Sequence, residues 1–315
     1  MAVIYMAPME GLTGYVYRGL YRDLYGDVEK YFTPFIGAAE KKIIRTRDRK
    51  EVEPENNRGM VVVPQLLANR PKEFLSICLL LKELGYGEVN LNTGCPANTV
   101  VGRHRGAGIL KYPEELLNLL EGIFEGIGAD PALSGLKVSV KTRLGMYSAD
   151  EFPGLLKIFN RYPLSELIIH ARTRQDYYEG EPDLDAFIRA LDETDLPLCY
   201  NGDIQKKEDY DRVIRLCEGK DVAVMIGRGI IADPGLVRQI RGGEAVDRQE
   251  LQRYVKELYR RYRETMDSRI AVMRMKEVWC YLGRQFPEKA GEWKDLKKAG
   301  SPAEYESAVM RIFLG

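Results

Sequence analysis

The chain has 315 residues, 45% of them hydrophobic and 30% charged, so it has room for a sizeable core and for roughly two domains. No apolar run approaches the ~18–20 residues of a membrane span, and the opening MAVIYMAPMEG has neither the basic lead nor the apolar stretch of a signal peptide. The net charge is zero but sorted: residues 241–315 hold 16 Lys/Arg and 12 Asp/Glu, a net of +4, which leaves −4 for residues 1–240.

Taken in chain order, short β-rich runs fall at 3–9, 31–37, 60–67, 87–92, 137–143, 166–172, 196–203 and 222–229. Helix-length segments such as PKEFLSICLLLKELG separate them, with apolar residues at helical spacing and Gly85 as a stop. Eight strands alternating with helices predict a (β/α)8 TIM barrel over residues 1–240 rather than a doubly wound open sheet, which usually has fewer strands. The β signal stops after residue 240. From there Leu251, Val255, Leu258, Tyr262 and Met266 step along one helical face, and Arg253, Lys256, Arg260 and Arg263 along another. A small all-helical domain over 241–315 is expected. Read alone, its basic stripe fits a solvated face as well as a binding surface.

Polar residues gather at the ends of the β runs: Gln65, Asn92, Lys141 with Arg143, His170 with Arg172, Asn201 with Asp203, and Arg228. In such a barrel the strand ends carry the active site, and polar groups buried there need partners that a ligand with many hydrogen-bonding edges would supply. The turns NGD (201–203) and IGRG (226–229) close the seventh and eighth runs, at the usual phosphate site of these barrels, where glycine lets backbone approach a bound group and Arg228 can add a charge. A strand-associated GxGxxG, a Walker loop, HExxH and a GxSxG elbow are all absent. With two histidines and five widely spaced cysteines lacking a CxxC pair, no metal site is expected, and reduced thiols suit the cytoplasm. Cys95 stands apart from the other four. It lies past a strand between Gly94 and Pro96, and a thiol of ordinary pKa ~8.5 can give a proton as well as act as a nucleophile.

In that order, MAPMEGLTG, VNLNTGCP, VSVKTRLG, IIHARTR, YNGDI and VMIGRG resemble the tRNA-dihydrouridine synthases over nearly the whole chain, with NxNxGCP the most specific element. The later RMKEVWCYL (274–282) is loosely similar to a patch of that family's helical domain. The resemblance implies an FMN-dependent enzyme that reduces uridines of tRNA, with NADPH (or NADH) as reductant. FMN would be cradled by Ala7, Pro8, Met9, Gln65, Lys141 and His170, with its phosphate at Asn201, Gly202, Asp203, Gly227 and Arg228. Cys95 would be the general acid and Asn92 would hold the uracil, with Arg143 and Arg172 near the substrate. Arg103, Arg105, Arg260, Arg263, Arg274 and Lys276 would meet the RNA, and a monomer is expected. Gly14 and Pro34 stand where the family often has Asp and Glu, and the loop VVGRHRGAG is unusually basic. The alternatives are a small-molecule flavin reductase of dihydroorotate dehydrogenase type, an RNA-binding relative without catalysis, and a flavin-free phosphate-binding barrel.

Overall fold

The structure, a computed structural model, describes residues 2–39 and 43–314. Its sheet has the strands β1 (Ile4–Met6), β2 (Lys30–Phe32), β3 (Val62–Val63), β4 (Gln65–Leu66), β5 (Glu88–Thr93), β6 (Lys137–Gly145), β7 (Glu166–Thr173), β8 (Leu198–Asn201) and β9 (Val222–Ile226). All pairings are parallel, in the order β3-β2-β1-β9-β8-β7-β6-β5-β4. The two ends of that order, β3 and β4, are consecutive in sequence and separated only by Pro64. They form one stave, which the sequence reading treats as the single run 60–67. Proline cannot donate to the ladder, so the stave is interrupted there while Pro64 O still accepts from Asn90 N at 2.9 Å. The result is an eight-staved closed barrel with helices outside it.

Alternation along the strands sets up everything that follows. Ile4, Met6, Val89, Leu91, Val138, Val140, Leu167 and Ile169 point outward to the helices. Tyr5, Ala7, Phe32, Val63, Ile168, Cys199 and Met225 form a separate apolar plug inside the barrel. Two residues beyond that plug, on the same inward face, come Gln65, His170 and Asn201. Register aligns the group: Asn92 lies opposite Lys141, Arg143 opposite His170, and His170 opposite Asn201.

At the opposite end of the plug, Tyr5 Oη donates to Glu166 Oε1 at 2.9 Å, and Glu166 is 6% exposed. Burial lifts the Glu166 carboxyl from 4.5 to about 7, although Lys30 and the Tyr5 hydroxyl favour its ionised form. The folded protein therefore holds a proton that the unfolded chain has released. Stability from this group is full below about pH 4.5 and is lost as pH rises through about 7. The loss is on the order of 3 kcal/mol. Calorimetry should show the wild-type Tm falling across this window relative to Glu166→Gln; parallel pH profiles would contradict the assignment.

After the barrel, helices Arg248–Thr265, Ser268–Leu282, Ala290–Lys298 and Pro302–Phe313 pack together. The first docks on the barrel helix Tyr15–Leu24 through Tyr254, whose ring meets those of Tyr17 and Tyr25 at 6.3 and 5.8 Å. Trp279, fully buried, anchors the bundle by donating to Tyr305 Oη at 3.2 Å and by ring contacts with Phe286 and Phe313. The second helix reaches the rim of the barrel. Arg274 donates to Gly11 O (3.2 Å), and just beyond the helix Arg284 donates to Gln205 Oε1 (2.7 Å).

Candidate active site

A cavity of about 800 Å³ opens at the C-terminal ends of the strands. Its walls include all of Ala7, Pro8, Met9, Gln65, Lys141, His170, Asn201, Gly202, Asp203, Gly227 and Arg228, together with Asn92, Cys95 and Arg143. These residues come from seven different parts of the chain and meet there because each sits at, or just past, the inward-facing end of a stave.

Local hydrogen bonds fix the Cys95 loop. Asn92 Oδ1 accepts from Gly94 N (3.0 Å) and Cys95 N (2.9 Å), and Asn92 Nδ2 donates to Gln65 Oε1 (2.8 Å). Gln65 Nε2 in turn donates to Asn90 Oδ1 (2.8 Å), and Asn90 Nδ2 to Ser139 Oγ (3.0 Å). Asn92 thus acts first as the brace of the loop, with one amide hydrogen left for a ligand. Gly106, at φ +55°, packs against the other side: a Cβ there would stand 2.8 Å from Cys95 O and 2.9 Å from Cys95 Cβ. The thiol is half-buried, and burial raises its pKa against the lowering effect of a backbone hydrogen bond from Ala97 and the charge of Arg143. Cys95 is therefore a protonated thiol at neutral pH.

The remainder of the floor is cationic. Lys141 Nζ donates to Asn201 Oδ1 (2.8 Å), whose Nδ2 donates to Met225 O (2.8 Å). Burial, and then Arg143, depress the Lys141 amine to about 7. Burial and the charges of Arg143, Lys141, Arg172 and Arg228 push His170 well below its usual value, so it is neutral. Burial also brings Arg143 down to about 10, and it donates from Nε to Gly94 O (2.9 Å) and from Nη1 to Thr173 O (2.7 Å). A cavity with Lys141, Arg143 and Arg228 on its walls beside a neutral imidazole suits a ligand with negative charge and acceptor edges.

Several expected contacts fall elsewhere. Arg172 is 1% exposed and is not among the cavity walls. Its guanidinium donates to Glu179 O (3.0 Å), Gly180 O and Asp203 Oδ2 (2.5 Å), so it braces the loop after β7. The Asp203 carboxylate bridges Arg172 and Arg228; against the penalty of burial, their hydrogen bonds and charges keep it ionised. Asp203 can thus meet a phosphate only through its main chain, while its side chain orients Arg228. Arg105 pairs inward with Glu73 (2.7 Å) and Asn69 (3.1 Å), and Lys276 Nζ donates to Ala299 O (2.9 Å). Arg260 is held by Glu257 and Glu264, and Arg263 by Glu306 at 3.2 Å. Arg103 is exposed. His104 packs on the Tyr112 ring with its Nδ1 2.9 Å from Glu115 Oε2.

Other walls were not anticipated from the sequence. Tyr178 lies 5.3 Å from the Arg143 guanidinium and 5.0 Å from that of Arg228. Its neighbour Tyr177, at φ 50°, donates to Asn98 Oδ1 (3.0 Å) and accepts from Arg174 (2.7 Å), latching the loop after β7 onto the Cys95 loop. Tyr281 reaches the cavity from the second C-terminal helix. The tyrosine pair in RQDYYEG, directly after a strand end rich in Arg, was the available signal. Gly14 and Pro34, where the chain departs from the family pattern, both line a smaller adjoining pocket.

Fold and site together define a (β/α)8 barrel with a large cavity at the strand ends, armed with a protonated thiol and a cationic floor. Residues 5–311 match the family model described as Dihydrouridine synthase (Dus), and the chain belongs to that family. The tRNA-dihydrouridine(16) synthase of Cupriavidus necator is 30% identical over 322 residues, covering 98% of this chain and 97% of that protein. The enzyme of the same name from Escherichia coli is 27% identical, covering 98% of each. Among solved structures, a variant of NCR from Zymomonas mobilis has a TM-score of 0.51 at 15% identity over 78% of this chain and 88% of that one. A morphinone reductase mutant in complex with tetrahydroNAD gives 0.51 at 11% identity, with the same coverage. These two show the barrel fold.

Proposed function

We propose that this protein reduces a uridine of tRNA to 5,6-dihydrouridine with FMN as cofactor and NADPH (or NADH) as reductant. The observation that carries the reading is the protonated Cys95 thiol on the wall of the same cavity as Lys141, His170 and Arg228. FMN fits the residues available. The cavity holds the volume and the cationic floor that an anionic cofactor needs, and Gly227 leaves open a place where a Cβ would press to 3.2 Å on Ala7 Cβ and Met9 Sδ. When bound, the cofactor would supply the hydride. The residues Ala7, Pro8, Met9, Gln65, Lys141 and neutral His170 would hold its ring, and Asn201, Gly202, Asp203, Gly227 and Arg228 its phosphate.

Cys95 gives its proton to the uracil carbon next to the one that receives hydride, and Asn92 holds both the loop and the base. Arg143 keeps Gly94 in place and lends charge to the pyrimidine carbonyls. A base inside folded tRNA must be drawn out to reach this floor. The helices after residue 240 serve as the RNA-binding domain, and a chain acting on tRNA works in the cytoplasm.

Within that domain the contributions are unequal. Arg260 and Arg263 are already neutralised by Glu257, Glu264 and Glu306, whereas Arg253 and Lys256 are exposed and without an ion pair among the described residues. Phosphate contact follows free charge. Arg253→Ala with Lys256→Ala should weaken tRNA binding and reduce its salt slope by about 1–2. Arg260→Ala with Arg263→Ala should leave the slope nearly unchanged. Equal effects of the two pairs in filter-binding titrations would contradict this division.

The relatives' names give position 16 as the target, and we extend that position to this chain. Fragment mapping of tRNA treated with the protein, FMN and NADPH tests it. Dihydrouridine at 16 is expected; dihydrouridine confined to another position would overturn the assignment of site while leaving the reaction.

A further inference from the structure

Beside the main cavity, where the barrel rim meets the C-terminal helices, a second pocket of about 130 Å³ opens. Glu10 and Phe35 line both spaces, so a ligand in one is next to a ligand in the other. The apolar walls are Phe35, Val16 and Met266. The room exists because residue 14 is glycine: a Cβ there would already stand 3.0 Å from Glu51 Oε1. Its size is close to the ~150 Å³ of an apolar cavity that accommodates one benzene ring.

The polar groups of this pocket differ in how firmly they are engaged. Glu51 accepts from Arg18 Nη1 (2.9 Å) and from Tyr15 N (2.8 Å), so it is committed. Among the described residues, Glu10 has only a loose partner, Arg47 Nη2 at 3.6 Å from Oε1. Arg274 donates to Gly11 O and Glu277 from Nη1, and its side chain, 36% exposed, keeps further N–H groups at the pocket edge. A carboxylate is acceptor-only and a guanidinium donor-only. A planar ligand with a donor and an acceptor along one edge satisfies both, whereas a free anion would meet Glu10, Asp48 and Glu51. Along the helix Thr46–Val52, which lends Arg47, Asp48 and Glu51 to the pocket, Arg47 is held by Asp48 and Arg49 by Glu53, whereas Arg45 and Lys50 are exposed and without an ion pair among the described residues, free charge suited to a polyanion's backbone.

We propose that this pocket takes a second nucleobase of the same RNA, adjacent in the strand to the uridine being reduced, and reads its hydrogen-bonding edge through Glu10 and Arg274. The inference rests on the tRNA reading above. Splayed-out bases are recognised in this way, by their edges against charged and aromatic side chains. The consequence is a flanking-base preference that belongs to the pocket and not to the catalytic floor.

The test uses the full chain with FMN, NADPH and unmodified tRNA transcripts that differ only in the nucleotides on either side of the reduced uridine. Wild type should show at least a ten-fold spread in kcat/KM across the panel. Glu10→Gln, which keeps size but adds a donor, should shrink or re-order that spread. Arg274→Ala should raise KM with kcat little changed. The flavin absorbance of each variant confirms that the main cavity is intact. Dihydrouridine formation with a flat wild-type panel, or a spread untouched by Glu10→Gln, would overturn the second-base site alone. No dihydrouridine from wild type on any transcript would overturn the parent reading instead.

Discussion

Cys95→Ala is expected to lower uridine reduction by about 10²–10⁴-fold, the range that a positioned general acid contributes. Geometry fixes the thiol before electrostatics tunes it. Asn92 Oδ1 grips the Gly94 and Cys95 amides, and Gly106 leaves no space behind the thiol, so Sγ has a fixed place on the cavity wall. Burial then keeps it protonated, which suits proton donation and disfavours a thiolate nucleophile. Activity should accordingly fall as pH rises through the raised thiol pKa. The variant should keep its flavin and its NADPH oxidation, because neither depends on Cys95. Stopped-flow traces of the reductive half-reaction, set beside turnover on tRNA, separate the two halves; unchanged turnover on tRNA would remove the acid role.

Lys141→Met is expected to weaken FMN binding by ten-fold or more, with a distinctive pH signature. The Lys141 amine, depressed to about 7, is only partly charged in the ligand-free protein near neutrality. An anionic ligand favours the charged form, so binding draws in a proton and wild-type affinity should decline as pH rises from 7 toward 9. Over that range a phosphate monoester is already largely dianionic, with its second pKa near ~6. His170, held neutral by burial and its cationic neighbours, contributes no slope there. Fluorescence titrations of FMN should therefore give a falling affinity for wild type and a flat, weak one for Lys141→Met. Parallel curves would mean that Lys141 does not face the cofactor.

The main cavity was legible in the sequence because each strand advertises its end. A run such as ELIIHAR is apolar until His170, and the period-two alternation that seats Ile168 in the plug carries His170 into the cavity. The same rule exposes Lys141 and Asn201. What sequence could not reveal was which cations had partners. Arg172 and Arg143 both end strands, yet Arg172 turns to Asp203 and the main chain at 179–180, while Arg143 lines the cavity. Arg105, Arg260 and Arg263 likewise meet acids whose proximity depends on how loops and helices fold back. The break at Pro64 was invisible as a break, since a one-residue interruption leaves the apolar pattern intact. Tyr177, Tyr178 and Tyr281 escaped notice because loop and helix tyrosines have no periodicity to mark them.

The most direct measurement of the central claim is nucleoside mass spectrometry on dihydrouridine-free tRNA incubated with the protein, FMN and NADPH. Uridine should be converted to a nucleoside heavier by two hydrogens, with conversion dependent on both FMN and NADPH. Unconverted tRNA, with FMN bound and NADPH still consumed, would contradict that claim and would assign the cavity to a small-molecule reductase.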